Sequence, residues 1–172
     1  AYLEACLSSL LIPSIDRIEV IVVNDGSRDH SLDIARSFAE KYPESFRVID
    51  KANGNYGSCI NVGLTAATGR YVKILDADDT FVTDNFERMV YAAENFDTDL
   101  IITDFVKDYT GGEKQHISYK FPSNRILKFE DVCRDDDFRT LWMHAVAYKR
   151  ENLLNIGYHQ TEGISYTDQE WV

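Results

Sequence analysis

The 172-residue sequence has no apolar run long enough to span a membrane and no signal peptide at its start. The cytosol is therefore the expected compartment, and any attachment at the inner face of a membrane would come through parts outside this chain. Paired cysteines are also missing. Cys6, Cys59 and Cys133 are odd in number, scattered and without a CxxC, which argues against a zinc site or a disulfide framework. They read as small buried hydrophobes in a reducing compartment. Basic charge is scarce: 18 Lys and Arg stand against 29 Asp and Glu, a formal charge of −11. So acidic a surface repels phosphate backbones and anionic lipid heads, which argues against a nucleic-acid partner. His30, His116, His144 and His159 form no i, i+4 pair and have no cysteine neighbours. There is no Gly-Lys-Ser/Thr phosphate loop, no internal repeat and no low-complexity segment.

What is present suffices for one substantial core, with 44% of residues hydrophobic and 12% aromatic. Leu3, Cys6, Leu7, Leu10 and Leu11 recur at helical spacing up to Pro13. The run 18–23 is almost continuously apolar, as in a parallel strand buried on both faces. Leu32, Ala35, Phe38, Ala39 and Tyr42 mark a helix, 46–49 a short strand, and 56–68 a helix that Gly69 should stop. Residues 71–75 read as the next strand. A helix follows, with Asp84 and Glu87 spaced as a capping box. This strand–helix alternation predicts a parallel sheet with helical crossovers. After Asp99 the pattern changes: 100–109 and 114–121 flank Thr110-Gly111-Gly112-Glu113 as a hairpin, and 145–148 reads as a further strand. The start inside a helix at Ala1-Tyr2 and the stop at Trp171-Val172 read as cut ends of something longer.

Ligands of open parallel sheets bind at the carboxyl ends of the strands, and two strand ends here carry acids. Asp76, Asp78 and Asp79 follow 72–75. They are either an acidic turn at a helix start or a D-x-D whose alternate carboxylates converge on a cation. Asp25, in Asn24-Asp25-Gly26-Ser27, is either ordinary turn chemistry or an acceptor for a nucleobase N–H. The segment Asn53-Gly54-Asn55-Tyr56-Gly57 could bring backbone close to a ribose or a diphosphate. Asp135-Asp136-Asp137 reads as a solvated loop, and His144 as a half-buried structural residue with a metal or diphosphate contact as its alternative. Trp142 and Trp171 are either core residues or platforms for an acceptor sugar.

Taken in order, the stretch 19–27, then Asn53-Gly54, Gly57, Asn61-Val62-Gly63 and Ala67-Thr68-Gly69, then 74–79, resembles the family 2 glycosyltransferases, closely over 2–79 and loosely beyond. The resemblance implies a GT-A type α/β fold: a Rossmann-like, mostly parallel sheet with helices on both faces and a hairpin-containing acceptor side. It implies one domain over 1–172, with 1–98 as the nucleotide-sugar-binding half and 99–172 as an acceptor-side half truncated at its C-terminus. It also implies transfer of a sugar, with inversion, from a nucleotide-sugar donor (a UDP sugar) to a glycan or lipid-linked acceptor, in bacterial surface polysaccharide synthesis. Asp25, Gly26, Ser27, Asn53, Gly57, Asn61, Asp76 and Asp78 match the donor-binding positions. Asp76 and Asp78 match the ligands of Mn²⁺ or Mg²⁺, and Asp168 matches the catalytic base. Two positions depart from the pattern: Ile60 stands where an arginine is frequent, and Thr167 where a glutamate is common. Two alternatives remain at this level. One is a haloacid-dehalogenase-type phosphohydrolase with Asp76 as nucleophile; the other is a non-catalytic module that only binds nucleotide sugar.

Overall fold

A computed structural model describes residues 2–109, 111–123, 125–134, 141–164 and 166–171. Helix α1 (Tyr2–Ser8) leads into β1 (Val20–Asp25), α2 (Ser31–Lys41), β2 (Phe46–Lys51), α3 (Asn55–Ala66), β3 (Tyr71–Val72) and α4 (Thr83–Asn95). The second half contributes β4 (Leu100–Ile102), β5 (Phe105–Asp108), β6 (Lys114–Ile117), α5 (Phe129–Cys133), β7 (Val146–Lys149) and α6 (Arg150–Asn155). A 3₁₀ turn over Asp168–Trp171 ends the described chain. The result is the expected α/β architecture, with β1 and β2 paired in parallel and the other described pairings antiparallel.

Strands β1 and β2 pair in parallel, Val20 opposite Phe46 through Asp25 opposite Lys51, with α2 as the crossover. The apolar run of β1 needs cover on both faces, and α2 and α3 both pack against it. Two apolar clusters result. One joins Leu7, Leu10, Ile12, Phe46, Phe86 and Val90; the other joins Leu64, Met143, Ala145, Val146, Leu153 and Trp171.

Four local expectations change. The strand read over 71–75 forms a ladder only at Tyr71–Val72, and its partner is β7, which runs antiparallel and also pairs with β4. Past Val72 the chain places a half-buried lysine, Lys73, whose ammonium donates to the carbonyls of His144 (2.8 Å) and Val146 (3.3 Å). The long hairpin read over 100–121 is divided. Its first arm joins β7 as β4, and only β5 and β6 pair with each other. Asp104 marks the break, its carboxylate accepting from Ser118 Oγ (2.9 Å) and Tyr119 N (3.0 Å). Helix α4 starts at Thr83, so Asp84 lies inside its first turn and no capping box forms. Glu87 instead accepts from the Ser14 N–H at 3.3 Å. Helix α3 stops at Ala66 rather than at Gly69, because Ala67 is extended and Glu19 accepts from the Thr68 N–H at 2.8 Å.

Candidate active site

The acidic run 76–79, beyond β3, folds into a tight turn. Asp79 N donates to Asp76 O at 3.0 Å, and that closure changes which carboxylates meet. In an extended strand the first and third residues share a face; across a closed four-residue turn, the first and fourth come together. Asp78 is accordingly exposed, whereas Asp76 and Asp79 are half-buried. Ligand atoms of Asp76, Asp79 and His144 all lie within 4.8 Å of one another. His144 Nδ1 is 3.1 Å from Asp79 Oδ2, delivered by a 3₁₀ turn, Met143–Ala145, directly before β7.

Burial, followed by the negative charge of Asp79, pushes the Asp76 carboxyl above its usual range, with His144 opposing. The hydrogen bond to Asp79 holds the His144 imidazolium above its ordinary pKa against the effect of burial. Beneath the turn, Cys6 Sγ points at Asp76 O at 3.6 Å, and burial pushes its thiol up to about 11. Burial lowers the Lys73 ammonium to about 8, with Asp79 pulling the other way.

A cavity of about 360 Å³ opens beside the turn, lined by Asn55, Tyr56, Asp76, Met143, His144, Tyr166 and Asp168. Asp76 and Asp168, 92 residues apart in sequence, thus line one cleft. Tyr56 enters from the first turn of α3, its hydroxyl 3.3 Å from Met143 Sδ. Burial and the charge of Asp76 push its ionisation far above the normal range, so it stays a neutral hydrogen-bonding group.

The other residues that the resemblance assigns to donor binding divide into two sets. Asp25, Gly26, Ser27 and Asn53 gather where β1 ends and α3 begins. Burial raises the Asp25 carboxyl, but Lys51 and the N–H groups of Gly54 and Asn55 outweigh it and hold the group below its usual range. Lys51 donates to Asp25 Oδ1, as does Gly54 N at 2.9 Å, and Asn53 Nδ2 donates to Asp25 O at 3.1 Å. Gly26 sits at φ +71°, a conformation other residues avoid. Ser27 is exposed. Gly57 and Asn61 have a different neighbour, the chain's own segment 158–162. A Cβ on Gly57 would lie 1.9 Å from the Thr161 carbonyl oxygen, and the Asn61 amide is bonded to Gln160 on both sides.

The sequence missed several of these residues. Asp79 lay within the motif but outside its alternating pattern. Lys73 carried a readable signal, a charge interrupting an apolar run, whereas nothing local marked Lys51 or Gln160. The Asp135-Asp136-Asp137 triplet lies outside the described residues. Trp171 is buried against Tyr148 and Tyr158, both edge-on at 5.4 and 5.5 Å, so it serves the core. Trp142 is part exposed and carries Lys107 Nζ 3.9 Å from its ring centroid.

Relatives of known sequence and structure bear on this geometry. The uncharacterised glycosyltransferase EpsJ of Bacillus subtilis is 32% identical over 155 residues, covering 87% of this chain and 44% of that protein. The uncharacterised glycosyltransferase YibD of Escherichia coli is 29% identical over 177 residues, covering 98% of this chain and 50% of that protein. The minor teichoic acid biosynthesis protein GgaB of Bacillus subtilis is 33% identical over 135 residues, covering 75% of this chain and 15% of GgaB. The chain thus spans half or less of the length of these relatives. Among solved structures, S. aureus TarS 1-349 in complex with UDP-GlcNAc superposes with a TM-score of 0.78 at 20% identity, over 98% of this chain and 47% of that one. That likeness places the fold among those of GT-A type. The family model for glycosyl transferase family 2 matches residues 1–157, which removes the phosphohydrolase alternative; on that match the chain belongs to glycosyl transferase family 2.

Proposed function

We propose that this chain is the nucleotide-sugar-binding domain of an inverting, metal-dependent glycosyltransferase that moves a sugar from a UDP-linked donor to a hydroxyl of a glycan or lipid-linked acceptor. The observation that carries the reading is the shared cleft: the Asp76, Asp79 and His144 group and the Asp168 carboxylate line one cavity. The reading has outside support. TarS was crystallised with UDP-GlcNAc, and GgaB is a teichoic acid biosynthesis protein, which favours bacterial surface polymers as the acceptor class.

The donor set fits Mn²⁺ or Mg²⁺. Two carboxylates and an imidazole supply hard and borderline ligands, and the Asp76 carboxyl, raised by burial first and by the Asp79 charge second, is a group whose charge a cation would favour. Asp76, Asp79 and His144 would hold the ion, with Asp78 adding charge from the rim; the motif had nominated Asp78 itself. Bound there, the cation would neutralise the diphosphate of the donor and of the leaving UDP. The protein's own groups do the rest. Asp168 takes the proton of the acceptor hydroxyl as its oxygen bonds to the anomeric carbon. The bond from that carbon to the diphosphate breaks in the same displacement, and UDP departs with the electron pair. One displacement inverts the anomeric centre. Asp25 with Asn53, and the backbone at Gly26 and Ser27, receive the nucleoside end, and Lys51 keeps Asp25 ionised.

Calorimetric titration of UDP with and without Mn²⁺ tests the reading, with GDP and ADP as controls. The expected result is UDP binding that Mn²⁺ strengthens. Asp79→Ala abolishes that increment, and Asp78→Ala diminishes it less. UDP affinity indifferent to Mn²⁺ and to Asp76→Asn would leave a binding module without the metal chemistry.

A further inference from the structure

Segment 158–162 lies between α3 and the 3₁₀ turn carrying Asp168, and is fastened to both. On the α3 side, Asn61 makes a two-point bond with the backbone of Gln160. Its Nδ2 donates to Gln160 O at 2.9 Å, and its Oδ1 accepts from Gln160 N at 2.8 Å. The same Nδ2 is 2.8 Å from Glu162 Oε1. The missing side chain of Gly57 lets the Thr161 carbonyl press against the helix. On the other side, the Gln160 side chain turns inward with 0% exposure. Its Nε2 donates to Thr167 O, and its Oε1 accepts from the Tyr158 hydroxyl. Thr161 N donates to Glu170 Oε2 at 2.8 Å.

Thr167 immediately precedes Asp168, and its carbonyl also accepts Glu170 N at 2.9 Å, the bond that closes the turn. The orientation of Asp168 therefore depends on a carbonyl that Gln160 holds. The backbone of Gln160 is bolted in turn to α3, whose first two residues, Asn55 and Tyr56, line the cleft. A 3₁₀ turn of four residues has little regular hydrogen bonding of its own to fix a side chain. A buried amide with both ends bonded supplies that rigidity, because breaking either bond leaves a buried polar group unpaired.

We propose that Gln160 is a positioning residue for Asp168, locking the base at a fixed distance from the donor side of the cleft through the Asn61–Gln160–Thr167 chain. The inference rests on the reading of Asp168 as base. Catalysis is sensitive to such placement: an error of about 1 Å in a reacting group can cost on the order of 10²-fold in rate.

The test is steady-state UDP release from a UDP-sugar donor by the intact protein, with water as acceptor, measuring kcat and donor KM separately. Gln160→Leu is expected to lower kcat about 10²-fold while donor KM changes less than about threefold. Gln160→Leu combined with Asp168→Asn is expected to be no slower than Asp168→Asn alone, since the first acts through the second. Glu170 is exposed, so Glu170→Ala leaves the core intact. It loosens the same latch at Thr161 and is expected to lower kcat severalfold with KM unchanged; it decides the matter if Gln160→Leu does not fold. Normal kcat in a folded Gln160→Leu protein, or in Glu170→Ala where that is the deciding variant, overturns the positioning role, as does additive loss in the double variant. Full turnover in Asp168→Asn overturns the base assignment instead, so the two failures are distinct.

Discussion

Asp79 shows how a single bond reassigns chemistry between neighbours. The 3.0 Å bond from its N–H to the Asp76 carbonyl leaves Asp78 exposed and sets Asp79, the fourth residue of the motif, beside His144. At the proposed metal site a proton on His144 would oppose the cation, and Asp79 favours that proton. The Mn²⁺-dependent part of UDP affinity is therefore expected to fall as pH drops from about 8 to about 6, and to lose most of that pH sensitivity in His144→Gln. Titrations at several pH values check this. Without metal the sign is opposite. Because the folded pKa of His144 is raised, its pairing with Asp79 stabilises the fold at pH below the ordinary histidine value and fades as pH rises through the higher folded value. Both side chains are about a third or more exposed (35% and 45%), so solvent screens that contribution and it stays small.

At the level of elements, α3 has two separate duties. Its first turn supplies Asn55 and Tyr56 to the cleft, while Gly57 and Asn61 secure segment 158–162. Helix propensity alone would reward Gly57→Ala by about 1 kcal/mol. The clash decides otherwise: a methyl group 1.9 Å from the Thr161 oxygen cannot be accommodated without moving the segment. Overpacking of this kind typically costs about 1–3 kcal/mol. Gly57→Ala is expected to be net destabilising in denaturant titrations and to lower kcat more than it raises donor KM. The sequence showed a glycine-rich start to a helix correctly; that the Thr161 backbone lies against Gly57 depended on a contact 104 positions away. Strand β3 teaches a similar lesson. Its apolar character was visible, but its antiparallel partner, β7, lies more than 70 residues downstream.

On the scale of the molecule, the two apolar clusters underlie different functions. The first packs β1 and β2 against α1 and α4, with Phe46 only 2% exposed and in ring contact with Phe38 and Tyr42 at 5.7 and 5.8 Å. Phe46→Ala is expected to destabilise by about 3–5 kcal/mol, a large fraction of the ~5–15 kcal/mol that holds a domain together. Thermal melting would show it as a large drop in Tm with the site residues unaltered. The second cluster includes Trp171, the last residue of the Asp168 turn, so on the proposed role of Asp168 a Trp171→Ala change is expected to lower kcat before it unfolds the β1–β2 side. Among the described residues no helix is long and apolar enough to cross a membrane.

The ordered motifs carried the family resemblance, and the local patterns of the sequence determined the class of fold, the order of β1, α2, β2 and α3, and the acidic segments that end β1 and follow β3. Each of these is written in short-range patterns: apolar runs, helical spacing and turn residues read over a dozen positions. Only the tertiary structure decided which side chains gather, since turn closure brought Asp79 to Asp76, left Asp78 exposed, and met His144, 65 positions later. It also decided that Asn61 faces Gln160, that Lys51 engages Asp25, and that Asp76 and Asp168 share a cleft. These are contacts between segments far apart in the chain. Local patterns fix what each segment is; packing fixes what it meets.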